Sequence, residues 1–90
     1  MRTAAKRDAI EQNIVDALEA IGCSVQRISQ KGLPDLLVGY RKRNFLIEVK
    51  SHGGKLTPLQ QEFADFWRGQ FMVAFSEDEA LDLVTGAYEK

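Results

Sequence analysis

The stretch that decides the fold reads Gly32-Leu33-Pro34-Asp35-Leu36-Leu37-Val38-Gly39-Tyr40-Arg41-Lys42-Arg43-Asn44-Phe45-Leu46-Ile47-Glu48-Val49-Lys50. Two apolar runs, Asp35 to Tyr40 and Asn44 to Lys50, flank a basic turn at Arg41, Lys42 and Arg43, which is the grammar of a β-hairpin. In a strand alternate side chains share a face. Glu48 and Lys50 therefore project to one side with Leu46, while Ile47 and Val49 project to the other. Antiparallel pairing carries the start of the first run to the end of the second, so Asp35 and Glu48 are expected to meet.

Working outward, Ser29 to Pro34 is a loop punctuated by Gly32 and Pro34, and Ser24 to Ile28 is a short strand. Before it, Ile10, Ile14, Ala17, Leu18 and Ile21 recur at helical spacing, predicting a helix over residues 4–21 that stops at Gly22. On the other side, Ser51 to Lys55 is a flexible break. Thr57 and Pro58 open a helix as N-cap and first residue, with Leu59, Phe63, Phe66 and Trp67 on its inner side. A fourth strand spans 70–75, and Ser76 caps a last helix with Glu79 completing a capping box. The order α-β-β-β-α-β-α predicts an α/β fold, a mixed sheet with helices on its faces. It makes one domain over residues 1–90, without repeat, linker or low-complexity segment.

Composition limits the possibilities. A chain of 90 residues has a thin core, and self-association is a common remedy. One cysteine, Cys23, allows neither an internal disulfide nor a multi-cysteine zinc site, and fits a reducing cytosol. No apolar stretch approaches the roughly 20 residues of a membrane helix. Asp8 and Glu11 interrupt the place where a leader would have its apolar core, so no leader is expected. The net charge of −1 does not favour a polyanionic partner. The cations are grouped, however, at Arg2, Lys6 and Arg7, at Lys31, at Arg41 to Arg43 and at Lys55, and local field counts for more than the total.

Two carboxylates and an ammonium at one sheet edge suit a particular chemistry. Magnesium and manganese take oxygen ligands, often one or two carboxylates with water and substrate phosphate. The backbone carbonyl of Val49, between Glu48 and Lys50, is a further oxygen donor, and a lysine beside the ion can orient water or balance developing negative charge.

Pro34-Asp35, then twelve residues, then Glu48-Val49-Lys50 resembles the PD-(D/E)XK nuclease signature. With Gly32-Leu33-Pro34-Asp35-Leu36 before it and Gly54-Lys55-Leu56-Thr57-Pro58-Leu59-Gln60 after it, the pattern resembles the VRR-NUC (virus-type replication-repair nuclease) domains, especially short stand-alone phage ones. The resemblance implies Asp35 and Glu48 as ligands of Mg2+ or Mn2+ and Lys50 as the catalytic lysine. It also implies Glu11 as the acidic residue of the first helix that completes the metal site. Gln60 matches a glutamine that supports the site or contacts DNA, with Gln61 beside it as the alternative.

The implied activity is a metal-dependent DNA endonuclease preferring branched DNA, four-way junctions above all, in a bacterial or phage-infected cytoplasm and with no small-molecule cofactor. A junction needs paired cuts and a twofold dimer presents two sites, so a homodimer is expected. Lys31, Arg41, Lys42, Arg43 and Lys55 would hold the DNA backbone by sequence-independent contacts. Rival readings are a flap or nicking nuclease of the same fold and a DNA-binding module that does not cleave.

Overall fold

Helix α1 spans Arg2–Ala20, and its end is built by Gly22. The Gly22 amide donates to the Glu19 carbonyl and the Cys23 amide to the Leu18 carbonyl, both at 3.0 Å, with Gly22 at φ +98°. That is a Schellman closure, in which a left-handed residue turns two amides back onto the last turn. The computed structural model describes residues 2–86, with side chains from residue 8 onward.

Four strands follow: β1 (Ser24–Arg27), β2 (Leu36–Tyr40), β3 (Arg43–Val49) and β4 (Phe71–Ala74). They form one sheet in the order β1-β2-β3-β4, the first two pairings antiparallel and the last parallel. Helix α2 (Pro58–Phe66) makes the crossover before β4, and α3 (Glu77–Thr85) follows it. The expected element order holds throughout, and the sheet is mixed as expected.

The hairpin closes more tightly than a three-residue turn. Tyr40 pairs with Arg43, leaving Arg41 and Lys42 as a two-residue loop at φ 52° and 67°. Two positive φ values define the type I′ turn that matches strand twist, a site where Asn-Gly is the usual choice. Arginine and lysine are held there against the Cβ clash that disfavours the left-handed region. Stacking of the Arg41 guanidinium over Tyr40, at 5.0 Å, offsets part of the strain.

Alternation then sorts the sheet's faces. Leu36, Val38, Phe45, Ile47 and Val49 are buried on one face beneath Ile14, Val15 and Leu18 of α1 and Ala80, Leu83 and Val84 of α3. Val15 joins this core although it lies outside the expected stripe. Ile21 does not, being 38% exposed, because the helix has already ended. Cys23 is buried, and loss of hydration pushes its thiol pKa up.

The opposite face is covered sparsely. Helix α2 buries no residue, and Phe66, expected on its inner side, is 70% exposed; Leu59 and Trp67 are exposed as well. Periodicity placed these residues on one stripe, but only Phe63 turns to the sheet side, between Trp67 and Phe71. The Ser76 cap needs a correction too. Ser76 Oγ accepts from the Glu79 amide, but Glu79 Oε1 accepts from Phe75 rather than Ser76. Ala74 already bonds β3 through Lys50, so the next amide, that of Phe75, points to the open edge where Glu79 reaches it. The full reciprocal box forms instead at Thr57 and Gln60.

Gly22→Ala is expected to lower stability by about 1 kcal/mol and Lys42→Gly to raise it by about 0.5–1 kcal/mol, both read from urea unfolding. Opposite signs at two left-handed positions would establish that backbone strain, not side-chain contact, governs both turns.

A candidate metal-dependent active site at the end of the hairpin

Antiparallel register fixes the centre of the site. Leu36 pairs with Ile47, so the next step outward sets Asp35 opposite Glu48, and the one after sets Pro34 opposite Val49. Lys50 and Leu46 turn their amides to β4, so Ile47 and Val49 turn theirs toward β2. Proline has no N–H to give the Val49 carbonyl. The ladder therefore stops here, and the Asp35 side chain takes over: its Oδ2 accepts from the Val49 amide at 2.8 Å. The Asp35 backbone meanwhile faces β1, its carbonyl accepting from Ile28 at 2.8 Å. Asp35 is thus fixed through both backbone and side chain, and the Val49 carbonyl points to the same side as Asp35.

Glu48 lies on the α2 side of the sheet and is 2% exposed. Burying a carboxylate is costly unless it is paired or hydrogen-bonded. Gln60 supplies one such partner, its Nε2 donating to Glu48 Oε2 at 3.0 Å. The other end of the same amide caps α2, Gln60 Oε1 accepting from the Thr57 amide at 2.8 Å. Gln61 instead turns to Asp65 on the exposed face, so of the two glutamines it is Gln60 that touches the site. Among the described residues no buried side-chain nitrogen or oxygen lacks a partner.

Lys50 follows Val49 on the Glu48 side, and its amide donates to Ala74. A Cβ on Gly54 would stand 3.0 Å from the Ser51 carbonyl and 3.4 Å from Lys50 Cβ, so a glycine lets this loop close over the lysine stem. His52, in the same loop, is exposed.

Beside this centre opens a cleft of about 540 Å³ whose walls include Glu11, Arg27, Lys31, Asp35, Thr57 and Gln60. Glu11 reaches it from α1 and is bound by Arg27, Nη1 to Oε2 at 3.0 Å. Arg27 pairs with Leu36 in register and had no signature in the sequence. Its position depends on α1 crossing the end of β1, which no local pattern reports.

The basic residues separate into groups. Lys31 lines the cleft. Arg41 and Lys42 sit at the opposite end of the hairpin, about 17 Å away for five residues of strand. Arg43 lies over Phe45. Lys55 lines a separate depression with His52 and Glu79. The side chains of Arg2, Lys6 and Arg7 lie outside the described residues.

Among the described residues no group of three His, Cys, Asp or Glu side chains gathers at metal-binding range. The oxygen donors that the register carries to this end of the hairpin are the carboxylates of Asp35 and Glu48 and the carbonyl of Val49. All are hard oxygens, and the set fits an ion that draws its remaining ligands from water and phosphate.

A mixed sheet carrying Pro34-Asp35 and Glu48-Val49-Lys50 at adjoining strand ends defines the PD-(D/E)XK nuclease class of fold. The particular likeness is to a solved structure described as a VRR_NUC domain, with a TM-score of 0.75 and 26% identity over 89% of this chain and 95% of that one. No protein-family model and no curated protein matches the chain. The resemblance carried by the motifs therefore extends to the whole fold. No helix among the described residues is long and apolar enough to cross a membrane.

Gln60→Ala removes a donor to a buried carboxylate and half of the Thr57 box, and is expected to cost about 2–3 kcal/mol in urea unfolding. Gln61→Ala, on the exposed face, is expected to cost under about 0.5 kcal/mol.

Proposed function

We propose that the chain is a divalent-metal-dependent endonuclease acting on the phosphodiester bonds of DNA. The observation that carries this reading is the hairpin register, which brings Asp35, Glu48 and Val49 to one end of the sheet with Lys50 next in line, and the Val49 amide bond to Asp35 that ties the two strand ends. Asp35, Glu48 and the Val49 carbonyl would hold Mg2+ or Mn2+. Such an ion supplies positive charge against the phosphate oxygens and makes the attacking water more acidic.

The chain's own groups do the rest. The Lys50 ammonium orients the water for in-line attack and balances charge developing on the phosphate. Gln60 fixes the rotamer of Glu48, and the Asp35–Val49 bond fixes that of Asp35, so the pair is set before substrate arrives. Lys31 meets the backbone at the cleft, and Arg41 and Lys42 meet it at a distance, contacts that follow DNA shape rather than sequence.

The substrate proposed is branched DNA, four-way junctions first, cut by a homodimer. Two separated basic contacts on one small domain support shape recognition, and exposed Phe66 and Trp67 support self-association.

The test is cleavage of labelled four-way junction, flap and linear duplex with magnesium or manganese, with a chelator control. Asp35→Asn keeps an oxygen acceptor for the Val49 amide, so it should fold normally yet cut at least about a hundredfold more slowly. Asp35→Ala should lose stability as well as activity. Metal-dependent cutting by wild type alone supports the reading; folded wild type that binds DNA but cuts nothing overturns it. A monomer in light scattering at micromolar concentration would overturn the dimeric junction resolvase while leaving the nuclease.

A further inference from the structure

Arg27 closes β1 at the wall of the cleft, and two residues of α1 grip its guanidinium. Nη1 donates to Glu11 Oε2 at 3.0 Å and Nη2 to Gln12 Oε1 at 2.6 Å. A free arginine side chain loses much rotamer freedom on binding an anion. Here the plane of the guanidinium is already set, and its other N–H donors are left for an incoming oxygen. The side chains are unequally hidden, Arg27 at 48% exposed and Glu11 at 12%, so the cation is presented and the carboxylate lies behind it. Arg27 also stands where a polyanion needs help. The cleft is walled by Glu11 and Asp35, with Glu48 close by beneath Gln60, and its cations are Arg27 and Lys31.

We infer that Arg27 is a phosphate-contacting residue of this cleft, with Glu11 and Gln12 as the positioning residues that hold it. The phosphate would belong to the backbone neighbouring the group held at Asp35 and Glu48, and the inference rests on the nuclease reading above. Glu11 in this scheme orients a cation toward substrate, a role distinct from the ion ligation that the motif resemblance implied for it.

The experiment is fluorescence anisotropy of a labelled four-way junction across a salt series, with calcium replacing magnesium. It compares wild type, Arg27→Gln, Arg27→Lys, Glu11→Gln and the Arg27→Gln/Glu11→Gln double variant. Thermal melts confirm folding, and manganese titration calorimetry is run on each. Arg27→Gln should weaken binding about tenfold and lower the salt slope by about one. Arg27→Lys should keep the slope while losing part of the affinity, because the ammonium lacks the planar fork. Glu11→Gln should lose less, and the double variant should bind no worse than Arg27→Gln alone. Manganese affinity should be unchanged by Arg27→Gln and Glu11→Gln. Arg27→Gln with wild-type affinity and slope overturns the inference, as does loss of manganese binding in Glu11→Gln. Wild type that binds DNA while Arg27→Gln is unchanged removes Arg27 only; wild type that binds no DNA removes the nuclease reading with it.

Discussion

Proline 34 can accept a hydrogen bond but cannot donate one, and much of the site follows from that. The β2–β3 ladder would otherwise run one residue pair further, and the Val49 amide and carbonyl would be absorbed into the sheet. With proline opposite, the carbonyl has no ladder donor, and the amide is taken by the Asp35 carboxylate. One residue without an N–H thereby ends the ladder, and the carboxylate that follows it takes the amide opposite. The dipeptide Pro34-Asp35 is best understood as a ladder terminator whose second member takes the place of the missing partner.

The sheet separates two tasks by face. Apolar residues at alternate positions of β2 and β3 meet α1 and α3 and provide most of the packing. The other face carries Glu48 and Lys50 under α2, where the principal attachments are polar: Gln60 to Glu48 and Gln60 to Thr57. Gln60 makes both of these attachments, since a single amide both starts a helix and steadies a buried carboxylate.

The hairpin and the sorting of its faces could be read directly from sequence, because a period of two leaves little freedom once one face is apolar, whereas the two-residue turn that sets the register could not. The caps at Gly22 and Thr57 were equally legible, being local chemistry. What escaped was long-range or depended on coverage. The Arg27–Glu11 contact joins residues sixteen apart through the crossing of a helix over a strand end. Periodicity named the stripe of Leu59, Phe63, Phe66 and Trp67 but could not say that most of it stays uncovered. Similarly, Glu79 answers an edge amide at Phe75 that becomes available only when β4 is the last strand. Charge grouping gave Arg41 to Arg43 as one cluster, whereas the two-residue turn sends Arg41 and Lys42 to the tip and folds Arg43 back on Phe45.

Helix α2 buries no side chain fully, and this has a dynamic consequence. Its free energy of detachment is set by a few hydrogen bonds and half-buried rings, well below that of unfolding the α1–sheet–α3 core. Amide hydrogens of residues 61–66 should therefore exchange through a local opening, while those of β2 and β3 wait for global unfolding. The wall that carries Gln60 is held more lightly than the α1–sheet–α3 core and can yield to something as large as a nucleic acid, and the Asp35–Val49 contact lies between strands rather than on α2.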